Sequence, residues 1–144
     1  MSREVKLGTS ASEKPMHYSV GALIVRDGKY LLIDRVKIPL GFAGLAGHID
    51  EGESPEQAIV REVQEESGLH VTHVELLFDE EVANNQCARG VEVHHWYLFA
   101  CDVEDEATLN AAEARSIAWH TVEDLQTLPL EPVWRRWFTR LNIL

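Results

Sequence analysis

Residues 47 to 69 read Gly-His-Ile-Asp-Glu-Gly-Glu-Ser-Pro-Glu-Gln-Ala-Ile-Val-Arg-Glu-Val-Gln-Glu-Glu-Ser-Gly-Leu, an acidic loop that turns into a helix at a legible boundary. Ser54 has the side chain of an N-cap, Pro55 suits the first helical position, and Gln57, three residues after the cap, completes a capping box. Gly68 suits the left-handed residue that ends a helix. The pattern predicts a helix over Pro55 to Ser67. At about 100° per residue, Glu62, Glu65 and Glu66 share an arc of roughly 100°, with Arg61 beside them, while Ile59, Val60 and Val63 fall on another side. One face is core and another is a cluster of carboxylates.

Like charges at i,i+3 and i,i+4 cost a few tenths of a kcal/mol per pair on an exposed helix, and clustering raises a carboxylate pKa. A cation relieves both. Oxygen ligands on a rigid helix suit a hard ion, Mg²⁺ or Mn²⁺, which keeps several waters and bridges to substrate phosphates. A solvated acidic face is the more ordinary account of an isolated Glu-x-x-Glu-Glu, so the spacing of the whole stretch has to decide.

Gly47, Glu53, Arg61, Glu62, Glu65, Glu66 and Gly68 match, without a gap, a spacing that resembles the signature of the Nudix hydrolases. Seven fixed positions at typical usage of about 7% each coincide by accident with a probability on the order of 10⁻⁸ per start site. The resemblance implies an α/β/α sandwich around a central mixed sheet. It also implies metal-dependent hydrolysis of a pyrophosphate bond in a nucleoside diphosphate linked to another moiety, either ADP-ribose or a nucleotide sugar, or a nucleoside triphosphate.

Carried onto this chain, the resemblance makes Glu62 and Glu66 the primary metal ligands, with Glu65 a third ligand or a base. The backbone carbonyl of Ala46 is a further ligand, and Glu53 supports the site from the loop. Arg61 pairs with a cluster carboxylate. Glu113, in the segment before a short strand, takes the place of an acidic residue that reaches the metal cluster or activates water. Where the family typically carries Leu-Pro-Gly-Gly, this chain has Gly44-Leu45-Ala46-Gly47. Alternatives are a catalytically silent domain that senses nucleotides, which would be expected to lack one of the carboxylates, and an isoprenoid diphosphate isomerase, which would show a disrupted motif preceded by a cysteine. Both cysteines, Cys87 and Cys101, follow the motif.

The 144 residues fit a single domain with a proper core. Residues 1–15 are expected to form a flexible leader and residues 16–144 the domain. A net charge of −11 argues against a nucleic acid polymer as partner. It is compatible with a small phosphorylated nucleotide once divalent cations invert the local field. Arg35, Lys37 and Arg89 are the basic residues nearest the expected cleft and are candidates to bind phosphates. The two cysteines lack close spacing, so buried reduced thiols are expected ahead of a disulfide or a zinc site. No apolar run reaches membrane-spanning length and no signal-peptide core appears, which points to a cytoplasmic protein. A homodimer is compatible with this reading.

Along the chain, Val20–Val25 and Tyr30–Ile33 are expected strands joined by an Asp27-Gly28 turn. Val71–Phe78, Val91–Cys101 and Ser116–Trp119 are further strands, with Asp79–Gly90 a loop and Asp102–Asp105 an acidic turn. His94 and His95 are adjacent on a strand, so they face opposite ways and do not share one ion. A short helix capped by Thr121 should run to Leu128. A last helix should begin at Pro132, with Trp134, Trp137, Phe138 and Leu141 docking it on the sheet and Arg135, Arg136 and Arg140 in solvent.

Overall fold

The computed structural model describes residues 4–87 and 89–144. The chain runs β1 (Leu7–Thr9), β2 (Pro15–Leu23), β3 (Val25–Arg26), β4 (Lys29–Arg35), β5 (Gly41–Ala43), β6 (Leu45–His48), α1 (Pro55–Ser67), β7 (His70–Val82), β8 (Val93–Glu104), β9 (Ala114–His120), α2 (Val122–Thr127) and α3 (Pro132–Arg140). β2 is the organising strand. It pairs in parallel with β8 over its length and antiparallel with β1 and then β6, while β7 closes the far side of β8 antiparallel. β4 centres a second, antiparallel sheet with β3, β5 and β9. The β3–β4 turn uses Asp27 at φ 52° and Gly28 at φ 74°, the positive dihedrals that a two-residue hairpin needs.

Alternation along the strands splits the core in two. Val20, Ala22, Leu31, Ile33 and Phe99 pack with Ala58, Ile59 and Val63 of α1. Leu32, Trp96 and Leu98 pack with Leu125 of α2 and with Trp134, Trp137 and Phe138 of α3. Helices on both faces of the sheet layer make the α/β/α sandwich. The aromatic stripe of α3 is spent on docking: all three rings are buried, and a Cβ added to Gly44 or Gly21 would lie 2.4 or 3.1 Å from the Trp134 indole.

Helix α1 keeps its expected ends, with the Ser54–Gln57 capping box formed and Gly68 at φ 74°. Near the N-terminus Val5 bridges Asp50 and β1 pairs with β2; a polar edge segment lacks the hydrophobic signal that marks strands from sequence, yet its backbone completes an open sheet edge. Two expectations are corrected. The loop expected over residues 79–90 begins later, because Asp79–Val82 continue β7 opposite His94–Tyr97. The acidic residues 102–104 likewise extend β8 before Asp105 turns with φ 79°. Arg135, Arg136 and Arg140 are exposed, as expected, and Arg136 and Arg140 both pair with Glu80 of β7 at the surface.

Candidate active site

Arg61 arranges the carboxylates of α1 and its preceding loop. Its five N–H groups are all used. Nε and Nη2 clasp the two oxygens of Glu53 at 2.7 and 2.9 Å, Nη2 also donates to the His48 carbonyl at 2.9 Å, and Nη1 donates to Glu62 at 2.7 Å and Glu65 at 3.2 Å. Asp50 lies 3.4 Å from Nη2. The Glu53 hydrogen bond, reinforced by Glu62, pushes the guanidinium further above its usual range despite burial. A fork of this geometry fixes several acidic rotamers at once, which a lysine could not do.

Glu66 occupies a different environment. It is 5% exposed, and its Oε1 accepts the Ala46 N–H at 3.0 Å. Burial, with the charge of Glu62 added, drives its carboxyl well above the usual range. Glu62 lies so close to the main chain of β6 that a Cβ on Gly47 would stand 2.1 Å from its carboxyl carbon. Glycine leaves the Glu62 carboxylate in the space that a side chain at position 47 would take.

The opposite wall descends from the segment before β9. Asn110 donates to the Glu65 carbonyl at 3.1 Å, and Lys37 Nζ holds Glu113 Oε1 at 3.0 Å. The charge of Glu113 contributes to the raised Glu66 carboxyl and that of Arg35 opposes it, so both face the cluster. A cleft of about 350 Å³ brings together Arg35, Lys37, Ala46, Arg61, Glu62, Glu65, Glu66, Arg89 and Glu113. These nine are the residues expected to act on metal, water or phosphate or, for Arg61, on a cluster carboxylate; Glu53, expected to support the site, stands behind them against Arg61.

Sequence reasoning missed a third wall. His17, His48 and His94 lie on neighbouring strands β2, β6 and β8, and Cys87 closes over them from the loop. Burial, with the other imidazoles adding to it, lowers His48 to about 3 and His94 to about 4. Trp96 Nε1 donates to Asn85 Oδ1 at 3.0 Å, fixing the same loop. Glu131, the N-cap of α3, also lines the cleft, and burial raises its carboxyl. The Glu-Pro pair at the helix start hinted at the cap alone. His95 points away and pairs with Asp79, as alternation requires.

Comparisons with known proteins agree with this geometry. Residues 15–141 match the family model described as the NUDIX domain. The chain is 34% identical over 120 residues to the CTP pyrophosphohydrolase of Escherichia coli, covering 78% of this chain and 82% of that protein. It is also 34% identical over 133 residues to the nucleoside triphosphatase NudI of an Enterobacter species, covering 85% and 94%. Among solved structures, a MutT NUDIX hydrolase from Burkholderia pseudomallei superimposes with a TM-score of 0.71 at 30% identity, covering 83% of this chain and 93% of that one. The chain belongs to the Nudix hydrolase family and is an enzyme of the pyrophosphohydrolase type. Among the described residues no helix is long and apolar enough to cross a membrane.

The divalent metal that the family implies fits this donor set. Glu62 and Glu66 are close enough to raise one another's charge cost, one of them is buried, and every donor is an oxygen, which suits Mg²⁺ or Mn²⁺.

Proposed function

We propose that this enzyme hydrolyses nucleoside triphosphates to the monophosphate and pyrophosphate, with Mg²⁺ as the working ion and Mn²⁺ as a substitute. The observation that carries the reading is the single cleft in which an Arg61-ordered carboxylate wall faces three basic side chains. Its volume lies near the lower end of the roughly 300–1,000 Å³ usual for ligand sites, which favours one nucleotide over a dinucleotide. The two relatives named for CTP and nucleoside triphosphate hydrolysis support the same class. Soluble residence in the cytoplasm follows from the sequence reading and is part of this proposal.

In this reading Glu62, Glu66, Glu65 and the Ala46 carbonyl hold the metal. Bound there, the ion neutralises phosphate charge as it accumulates and acidifies water. Arg35, Lys37 and Arg89 bind the outer phosphates. Arg61 positions Glu62 and Glu65, and the Ala46 N–H fixes Glu66. Water attacks phosphorus, the bridging P–O bond breaks, and pyrophosphate leaves. The proton passes to a carboxylate, Glu113, which Lys37 orients from the wall opposite the helix; Glu65, already engaged by Arg61, is the alternative base. Little further covalent work falls to the protein, because phosphoryl transfer needs positioning and charge stabilisation above all.

The test is product analysis on a panel of CTP, UTP, ATP, GTP, ADP-ribose and nucleotide sugars with and without Mg²⁺. Metal-dependent release of monophosphate and pyrophosphate from a triphosphate is expected. Turnover of ADP-ribose or nucleotide sugars alone would overturn the substrate class, and nucleotide binding without turnover would favour a sensing domain. In the same assay Glu113→Gln should lose about 10²-fold or more of the rate; an unchanged rate assigns the base to Glu65.

A further inference from the structure

The third wall of the cleft has the composition of a metal site of another kind. His17 and His94 are register partners on the parallel strands β2 and β8, and His48 sits beside Ser19 on β6. Residues 17 and 19 share a face of β2, so the three imidazoles converge on the α3 side of the sheet. Gly47, one residue before His48, faces the carboxylates. Cys87 reaches the imidazoles from the loop between β7 and β8.

Two of the distances between donor atoms lie near the edges of a coordination polyhedron. Zinc bonds of about 2.0–2.1 Å to nitrogen and about 2.3 Å to sulfur, arranged tetrahedrally, give edges of about 3.3 Å between nitrogens and about 3.6 Å from nitrogen to sulfur. Here His48 Nε2 lies 3.4 Å from His94 Nε2, and Cys87 Sγ lies 3.8 Å from His17 Nδ1. All four donor atoms fall within 4.8 Å of one another. The His17 and His48 rings meet edge to face at 4.7 Å and His48 stacks on His94 at 5.5 Å.

Burial suits a bound cation as well. His17, His94 and Cys87 are all buried and His48 is half-buried. Neutral imidazoles carry a lone pair each, and a thiol that gives up its proton supplies the fourth donor and one negative charge. A cation satisfies all four together.

We propose that His17, His48, His94 and Cys87 form a closed, four-ligand site for a zinc-type cation, distinct in chemistry from the oxygen-lined site on α1. Imidazole and thiolate select zinc over magnesium, and a full set of four protein ligands is the mark of a structural site. Its effect is to clip the loop that carries Cys87 and Arg89 to three strands of the sheet, giving the cleft a fixed wall.

The experiment uses the full chain. Metal content is measured after purification from zinc-replete cells and extensive dialysis against excess Mg²⁺, and Co²⁺ then replaces the bound metal. One zinc per chain and a thiolate-to-cobalt charge-transfer band are expected. Cys87→Ser should abolish the band, while Glu62→Gln should retain it. Bound zinc should also shield Cys87 from alkylation, a readout that needs no variant. Absence of stoichiometric zinc even after reconstitution, an oxygen-type cobalt spectrum, or a charge-transfer band that survives Cys87→Ser would each overturn the proposal.

Discussion

The two walls of the cleft that face each other across β6 differ in how their polar groups are satisfied. On the α1 side, the acidic groups arrive already ordered: Arg61 spends five donors on Glu53, Glu62, Glu65 and the His48 carbonyl. On the β2–β8 side, the groups meet one another: His48 Nε2 lies 3.4 Å from His94 Nε2, and Cys87 Sγ 3.8 Å from His17 Nδ1. The imidazoles are held neutral by burial, and Arg89 adds to the lowering at His17 and His48. A wall of preassembled anions tolerates exchange of a hard, hydrated ion, which suits turnover. A wall of neutral lone pairs and a thiol suits an ion that stays. Successive residues Gly47 and His48 point to opposite faces of β6, so one strand serves both walls.

The comparison breaks most sharply at Glu62. Glu62→Gln removes one of the two proposed primary ligands and should lower Mg²⁺-dependent turnover by on the order of 10³-fold, since a bound metal supplies several kcal/mol at the transition state. Circular dichroism should be unchanged. Near-normal turnover would remove the metal assignment from α1.

A smaller effect is expected at Gly47→Ala. The new methyl falls 2.1 Å from the Glu62 carboxyl carbon, so the carboxylate has to swing away while the fold survives. A displacement of this size costs about 10²-fold in rate, and steady-state kinetics should show it mainly in kcat. A variant with full activity would mean that the position of Glu62 matters less than its charge.

The smallest effect concerns the second cysteine. Cys101 lies in the core beneath α1, and burial pushes its thiol up to about 12. Near pH 8 its thiolate is then scarce, on the order of 10⁻⁴ of the population, and iodoacetamide should leave it unmodified in the folded enzyme while labelling it fully in denaturant. Mass spectrometry of the labelled peptides separates it from Cys87. Ready labelling of Cys101 in the folded chain would show that its part of the core opens.

Legibility followed sequence distance. Helix α1, its capping box and its carboxylate arc depend on contacts within four residues, and the Thr121 cap of α2 is equally local. These were readable because i,i+3 and i,i+4 spacing is written into the chain. The placement of Glu113 and Arg35 followed from the family resemblance. The histidine wall is built from residues 17, 48, 87 and 94, which approach one another only through strand register. The alternation that sends His94 and His95 to opposite faces is legible from their adjacency, but no spacing rule connects His17 to His94. Glu131 escaped for a related reason, since its burial depends on where α3 lands.

That landing has a consequence for how the cleft can vary. The Trp134 indole occupies the space over Gly44 and Gly21, and the same ring lines the cleft. Two missing methyl groups in the sheet act as a depth stop for the terminal helix. A chain with alanine at position 44 has to lift α3 or trade the indole for a smaller ring, and the nucleotide-facing space changes shape with either choice. Pocket shape is therefore a joint property of positions 44 and 134. Libraries that vary the two together should recover folded enzymes with altered substrate range that neither single-site library contains.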